Sequence, residues 1–235
     1  MFFDGQNWTA LLYSGDCLVI VRHHPSAETL ARYAADTLEP GPAVIVDVHV
    51  AACRLCQTHV MQYEAVAGME LENIAPMPLA PDAMGMTLSS IEAGKPDRSA
   101  PAHASRTWRK SRTEADLPPA LGNYGVGKWL WLGPGLRWAS VRVPGAAEAN
   151  VMLMKIGPNK SMPEHGHTGC EYTQIISGSY FDGINRYGPG DFSEADHDIE
   201  HQPVVDPGED CICLAAVEGK MRFKGLLGRV LQPFY

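Results

Sequence analysis

His49, Cys53 and Cys56 set one imidazole and two thiols at steps of four and three residues in the stretch DVHVAACRLC, which otherwise reads as helix. Each residue of a helix advances by about 100°, so the three side chains fall within about 60° of one another and face the same way. That donor set suits zinc, and a structural zinc ion closes its tetrahedron with a fourth His or Cys. His24, just before the preceding helical stretch, supplies it if two helices pack antiparallel, with His23 as the alternative. His59 lies about 80° off the ligand face and is left out. A redox pair of Cys53 and Cys56 would normally accompany a βαβ pattern, which is missing here. The bland alternative makes the three independent core or surface residues.

A second group stands in EHGHTGCEYTQIISG, from Glu164 to Gly178. Alternate side chains of an extended strand share a face, so His165 and His167 point alike, and Glu171 can return to the same point after Thr168-Gly169-Cys170. Two imidazoles and a carboxylate suit a first-row divalent metal such as zinc, iron or manganese. The alternative is a histidine pair on a solvated strand. Cys170, beside Glu171, reads as a buried inert thiol or, if an ion lies close, as a reactive thiolate. Cys211 and Cys213 share one strand face with side chains oriented alike, poor geometry for a mutual disulfide, so they read as core.

Elements must hold these groups in place. Ser26 is a plausible N-cap for a helix in SAETLARYAADTL, with Ala27, Leu30, Ala34 and Leu38 near helical period, stopped by Glu39-Pro40-Gly41-Pro42. A longer helix is expected from about Ala43 to Met69, and a third from Asp82 to Ile91, where Met84, Leu88 and Ile91 fall at i, i+4 and i+7. A helical pair this small buries little apolar surface, which gives a metal staple its motive. Residues 94–122 shift to Pro, Ala, Ser and charge and read as a linker. The basic residues Arg106, Arg109, Lys110 and Arg112 within it read as a solvated charge run, with contact to a phosphate or an acidic partner as the alternative. Short β-prone runs punctuated by Gly, Pro and Asp follow, the pattern of an all-β sandwich or barrel.

Composition excludes several classes. With 45% hydrophobic residues the 235-residue chain is an ordinary globular protein, and its net charge of -8 argues against an electrostatic grip on nucleic acid or anionic lipid, which draws on clustered Lys and Arg. Its opening 22 residues have no basic leader region and no uninterrupted apolar run long enough to span a bilayer, so a cytoplasmic protein without membrane contact is expected. Six cysteines are too few and too unevenly spread for a secreted disulfide framework. Cys17, in that opening stretch, receives no role.

The spacing His-x-His-x3-Glu-x6-Gly, ending at Gly178, resembles the first motif of the cupin family. In the resembling second motif a Gly-Asp pair opens a strand and a metal histidine follows about eleven residues on. Gly190-Asp191 therefore points to His201 as fourth ligand, with His197 as an outer or surface residue. The glycine before the first motif is displaced, and GPGD replaces the usual Pro-x-Gly.

A helical zinc module followed by a cupin resembles the ChrR-type anti-sigma factors, on RHHPSAETLARYAADTL, His49/Cys53/Cys56, His165/His167/Glu171 and YGPGDF leading to HQPV. The expectation is an α+β multidomain chain: an N-terminal extension (1–22), a small all-α zinc-stapled anti-sigma domain (23–93), a linker (94–122) and an all-β cupin barrel, a double-stranded β-helix or jelly roll (123–235). The resemblance implies that the helical domain sequesters an extracytoplasmic-function sigma factor and that the cupin senses an oxidative signal, singlet oxygen or organic hydroperoxide, with no enzymatic turnover and no direct contact with nucleic acid. Expected cofactors are zinc at His24, His49, Cys53 and Cys56, and zinc or another divalent metal such as iron or manganese at His165, His167, Glu171 and His201. The competing class is a metal-dependent cupin dioxygenase with an accessory zinc module.

Overall fold

The computed structural model describes the backbone of residues 9–12, 18–94 and 117–223, and the side chains of 21–94 and 117–222. Most of the expected linker, with its four basic residues, and Cys17 lie outside these. An antiparallel ladder of β1 (Thr9–Leu12) and β2 (Leu18–Val21) precedes four helices: α1 (Ala27–Ala34), α2 (Pro40–Ala52), α3 (Arg54–Glu72) and α4 (Ala83–Glu92). No described helix is long and apolar enough to cross a membrane.

Ser26 caps α1 as expected, its Oγ accepting from the Thr29 N–H at 3.2 Å. Two helix boundaries differ from expectation. Pro40 stands in the first turn of α2, where a proline costs no hydrogen bond, so the stretch expected to stop one helix opens the next. The continuous helix expected over 43–69 is split at Cys53, whose φ of -105° and ψ of 106° are extended. The Cys53 N–H closes α2 on the His49 carbonyl at 2.8 Å, and its carbonyl opens α3 by accepting from the Gln57 N–H at 3.0 Å.

The C-terminal strands are β3 (Gly125–Val126), β4 (Leu130–Gly133), β5 (Leu136–Val143), β6 (Ala146–Ile156), β7 (His165–His167), β8 (Glu171–Ser177), β9 (Tyr180–Phe181), β10 (Arg186–Tyr187), β11 (Phe192–Ala195), β12 (Val204–Val205), β13 (Cys211–Val217) and β14 (Met221–Phe223). A seven-stranded antiparallel sheet runs β11-β8-β13-β6-β5-β3, with β4 on β5; β10-β9-β12 and β14-β7 form smaller sheets. The fold class is the expected one, helices followed by a double-stranded β-helix.

Successive side chains of a strand face opposite ways, and both faces of the large sheet are covered. Met152, Met154, Ile175, Cys211, Cys213 and Ala215 pack inward with Tyr180, Tyr187 and Val205 of the smaller sheet. Val151, Leu153, Tyr172, Ile176, Leu214 and Ala216 face outward into a second core, whose other side is Val44, Ile45, Val46 and Val48 of α2 with Leu30 of α1. The helices are therefore no free-standing pair short of apolar burial, because α2 lies on the outer face of the β unit. Leu121, in the 3-10 turn Pro119–Asn123, is buried in the same core.

Polar contacts fix the docking. Arg32 pairs with Glu218 at 2.8 Å, and the hydroxyls of Tyr33 and Tyr124 donate to the two oxygens of Asp47 at 3.1 and 3.0 Å. The backbone N–H groups of Arg22 and His23 donate to Asp191 Oδ1, and that of Ser26 donates to Glu194.

Gly41 lies close against the sheet: a Cβ there would stand 3.4 Å from Ala216 Cβ and 3.6 Å from Val151 Cγ2. Alanine fits, and at a helical position its lower unfolded-state entropy offsets the tight contact. Gly41→Leu forces carbons into a filled core at a cost of roughly 1–3 kcal/mol. We expect thermal melts to show Gly41→Ala at or slightly above wild type and Gly41→Leu lower by about 3–10 °C.

Candidate metal centres

The knuckle at Cys53 gathers the first donor set. His24 precedes α1, His49 lies in the last turn of α2, Cys53 is the joint and Cys56 sits in the first turn of α3. His24 Nδ1 lies 3.4 Å from both His49 Nε2 and Cys53 Sγ and 3.5 Å from Cys56 Sγ, and Cys56 Sγ lies 3.3 Å from His49 Nε2. All four donor atoms stand within 4.8 Å of one another. A tetrahedron with bonds of about 2.0–2.3 Å has edges of about 3.3–3.8 Å, so the cluster has the dimensions of a zinc site. His49, Cys53 and Cys56 are buried and His24 is partly so. The three do not lie along one helix face as expected; the turn of the chain at Cys53 brings them together instead.

The proton distribution of this cluster is uneven. The neighbouring Cys56 thiol stabilises a Cys53 thiolate against the effect of burial, with His24 and His49 assisting, and lowers its pKa. The same neighbour, together with burial, raises Cys56. An ion entering here must displace the Cys56 proton. His23 takes no part: its ring packs on Tyr187 at 4.6 Å and its Nδ1 lies 3.3 Å from Asp191.

The second donor set lies inside the β unit. His165 and His167 come from β7, Glu171 opens β8, and His201 is brought beside His165 by a backbone bridge in which the two exchange N–H to carbonyl bonds at 3.1 and 3.0 Å. Glu171 Oε2 stands 3.2 Å from His201 Nε2, 3.3 Å from His167 Nε2 and 3.8 Å from His165 Nε2. His165 Nδ1 donates to the Pro163 carbonyl at 2.8 Å, which leaves Nε2 to face the centre. All four side chains are buried, and among the described residues neither ring nitrogen of His167 has a hydrogen-bond partner. A buried orphaned imidazole is costly, and an ion at Nε2 removes that cost. Both clusters thus fit a metal, the first through thiolate and imidazole donors and the second through three imidazoles and a carboxylate.

Burial opposes the Glu171 carboxylate, but the three imidazoles outweigh it and hold the group well below the usual carboxylate range. Burial likewise opposes the His165 imidazolium, and Glu171 outweighs it, so His165 is raised. A cavity of about 30 Å³ adjoins the cluster, lined by Met154, Met162, Tyr180 and Cys213.

Cys170 is half-buried, and burial raises its thiol to about 11. Cys211 and Cys213 are free and buried in the inner core. His197 stands with Asp196 and Asp198 on the exposed surface. The sequence reading missed Gln174, whose Oε1 accepts from His49 Nδ1 at 2.8 Å, and Phe192, whose ring meets that of His49 edge-on at 5.4 Å. Gln174 could have been found by alternation: on β8, Glu171 and Gln174 must face opposite sides of the sheet.

Residues 120–220 match the family described as the ChrR Cupin-like domain. The Anti-sigma-E factor ChrR of Cereibacter sphaeroides is 34% identical over 221 residues, covering 92% of this chain and 98% of that protein. Among solved structures, the complex of Rhodobacter sphaeroides SigE with the anti-sigma ChrR contains a chain 32% identical, with a TM-score of 0.66, covering 84% of this chain and all of that one.

In the metal-free chain the Glu171–His165 pair stabilises most between the unfolded-state values of about 4.3 and 6.5. The lowered carboxylate loses its contribution as pH falls through its folded pKa, and the raised imidazole loses its own as pH rises through its folded pKa. Metal binding requires neutral His165, so below its raised pKa the cluster's affinity should weaken by roughly tenfold per pH unit for the one proton displaced. Chelator competition at pH 8 and pH 6 measures this; equal affinity at both would contradict it.

Proposed function

The chain belongs to the ChrR anti-sigma factors, and from that membership we propose that its helical segment sequesters an extracytoplasmic-function sigma factor, which is released when the cupin metal centre meets an oxidative signal such as singlet oxygen or organic hydroperoxide. One observation carries the first half. Eleven large apolar side chains from Met61 to Ile91 are exposed, along the outer part of α3, the connecting stretch and all of α4, with Met77 and Leu79 more than four-fifths bare. Among the described residues α4 buries none of its side chains. An apolar surface of that extent marks a site of protein association. Met84, Leu88 and Ile91 share a face at helical spacing, the arrangement by which a helix enters a partner's groove.

In this reading zinc occupies His24, His49, Cys53 and Cys56 and fixes the angle between α2 and α3, from which the apolar arm departs. His165, His167, Glu171 and His201 hold zinc or another divalent metal, whose ligand oxidation or loss is the signal. The protein works in the cytoplasm, where RNA polymerase and its sigma factors meet, and its acidic charge suits a protein partner rather than DNA. A regulator also accords with the cavity at the cupin centre. At about 30 Å³ it admits a molecule of water or peroxide size and falls well below the roughly 300 Å³ of ordinary substrate pockets.

Placing a charge in the apolar arm should weaken capture without unfolding the protein, because no side chain of α4 is buried among the described residues. Leu88→Asp with Met84→Asp is expected to lower affinity for the co-expressed sigma factor by at least thirtyfold, on the scale of about 2 kcal/mol or more for an interface anchor. Retention of wild-type affinity by titration calorimetry would remove α4 from the interface.

The release step has its own test. His165→Ala and Glu171→Ala should uncouple release from the signal, so that transcription from a sigma-dependent promoter is the same with and without exposure to singlet oxygen or organic hydroperoxide. A normal rise in transcription on exposure in either variant would mean that the cupin centre is not the sensor.

A further inference from the structure

We propose that Gln174 couples the two metal centres: from the strand that carries Glu171 at the cupin centre, it orients His49 at the helical centre. This rests on an ion being held by each cluster, and not on the identity of the sigma factor or of the signal.

Both ends of the Gln174 amide are committed. Oε1 accepts from His49 Nδ1 at 2.8 Å, and Nε2 donates to the Ile175 carbonyl at 3.1 Å. A flipped amide would set its NH2 group against the His49 N–H, so the second bond fixes the acceptor toward His49. With its proton held on Nδ1, His49 turns the Nε2 lone pair to the ion. The residue that sets the tautomer and ring angle of a helical ligand therefore comes from the cupin sheet.

Gln174 stands three residues along β8 from Glu171, about 10 Å at strand rise. It faces the opposite side of the sheet, toward α2, while Glu171 and Thr173 face the inner cavity. β8 is clamped along this span by β11, with Ala195 opposite Glu171 and Phe192 opposite Gln174, and by β13, with Leu214 opposite Gln174. A strand tied on both edges shifts as a unit, so a movement of Glu171 on loss of its ion is carried to Gln174. Phe192 reinforces the link, its ring edge-on to His49 and its N–H donating to the His23 carbonyl at 3.0 Å. Removing an outer hydrogen-bond partner of a metal-bound histidine typically costs 10–100-fold in metal affinity, and any coupling between two sites acts equally in both directions.

The test uses the full chain loaded with cobalt(II), without a sigma factor. Only the helical centre has thiolate ligands, so its sulfur-to-cobalt charge-transfer band reports that centre alone while a chelator removes the metal. Gln174→Leu, which keeps the bulk and loses the acceptor, should release the helical cobalt 10–100-fold faster. Gln174→Glu, which keeps an acceptor, should stay within about threefold of wild type. Glu171→Gln, which weakens the cupin centre, should speed helical release in the wild-type background and add nothing in the Gln174→Leu background. Wild-type release by Gln174→Leu, or equal acceleration by Leu and Glu, overturns the positioning role. No effect of Glu171→Gln on the helical band, or its full effect added to that of Gln174→Leu, overturns the coupling. If Gln174→Leu does not fold, the zinc-loaded wild type and Glu171→Gln decide the matter by NMR: the His49 Nδ1–H resonance should move when the cupin centre is emptied, and an unmoved resonance overturns the proposal.

Discussion

A sheet with two apolar faces must be covered twice, and everything else in this chain is arranged around that requirement. β6, β8 and β13 send alternate side chains into an inner core and an outer one. The smaller strands close the inner face, and α2 closes the outer. α2 is suited to the task because PGPAVIVDVHVAA is apolar nearly all round, the mark of a helix buried on several sides. Its one acidic residue, Asp47, is held by the hydroxyls of Tyr33 and Tyr124. Burial of α2 places His49 at 1% exposure against β8 and β11, so the first donor cluster forms at the seam between helices and sheet, not within the helices alone.

The donor clusters follow the same logic in electrostatic terms. Burying imidazole, thiol and carboxylate side by side is expensive unless each finds a partner, and a divalent ion supplies four partners at once. Without one, the groups satisfy each other incompletely. Cys53 and Cys56 divide their protons unequally, Glu171 pairs with the surrounding histidines, and His167 Nδ1 has no hydrogen-bond partner among the described residues. Both sites are therefore incompletely satisfied when bare and better satisfied when filled, which ties metal occupancy to folding free energy.

Much of this was legible in the sequence, and the gaps have physical causes. All eight donor residues come together as two groups of four, because donor type and spacing survive changes in local backbone. The helix break at Cys53 was not legible: Ala51, Ala52 and Leu55 flank it, and nothing in that run opposes a helix. The break arises because α2 must lie along the sheet while α3 leaves it, a tertiary demand that overrides local propensity. Pro40 was misread for a related reason, since a proline that ends one helix equally begins another. The docking of α2 was missed because the helices were treated as a separate unit, although the lack of a polar face in Val44–Val50 already called for cover on more than one side. α4, by contrast, was placed within one residue at each end, but among the described residues its apolar face is not buried.

That contrast between a docked helix and an undocked arm explains how a small event could have a large effect. A signal can shift the balance between a free and a captured partner only by changing the energy of one state relative to the other. α2 is held against the sheet by a shared apolar core, so it is poorly placed to supply that difference. α3 is held at its base by the knuckle, through Cys53 and Cys56, and its outer part is bare. Nineteen residues at 1.5 Å make a lever of about 28 Å, so a turn of about 10° at the base moves its tip by about 5 Å, one helical pitch. A displacement of that size takes a ridge of side chains out of the groove it fills. The angle that the knuckle gives α3 therefore decides where the apolar arm stands, over and above the area that the arm exposes.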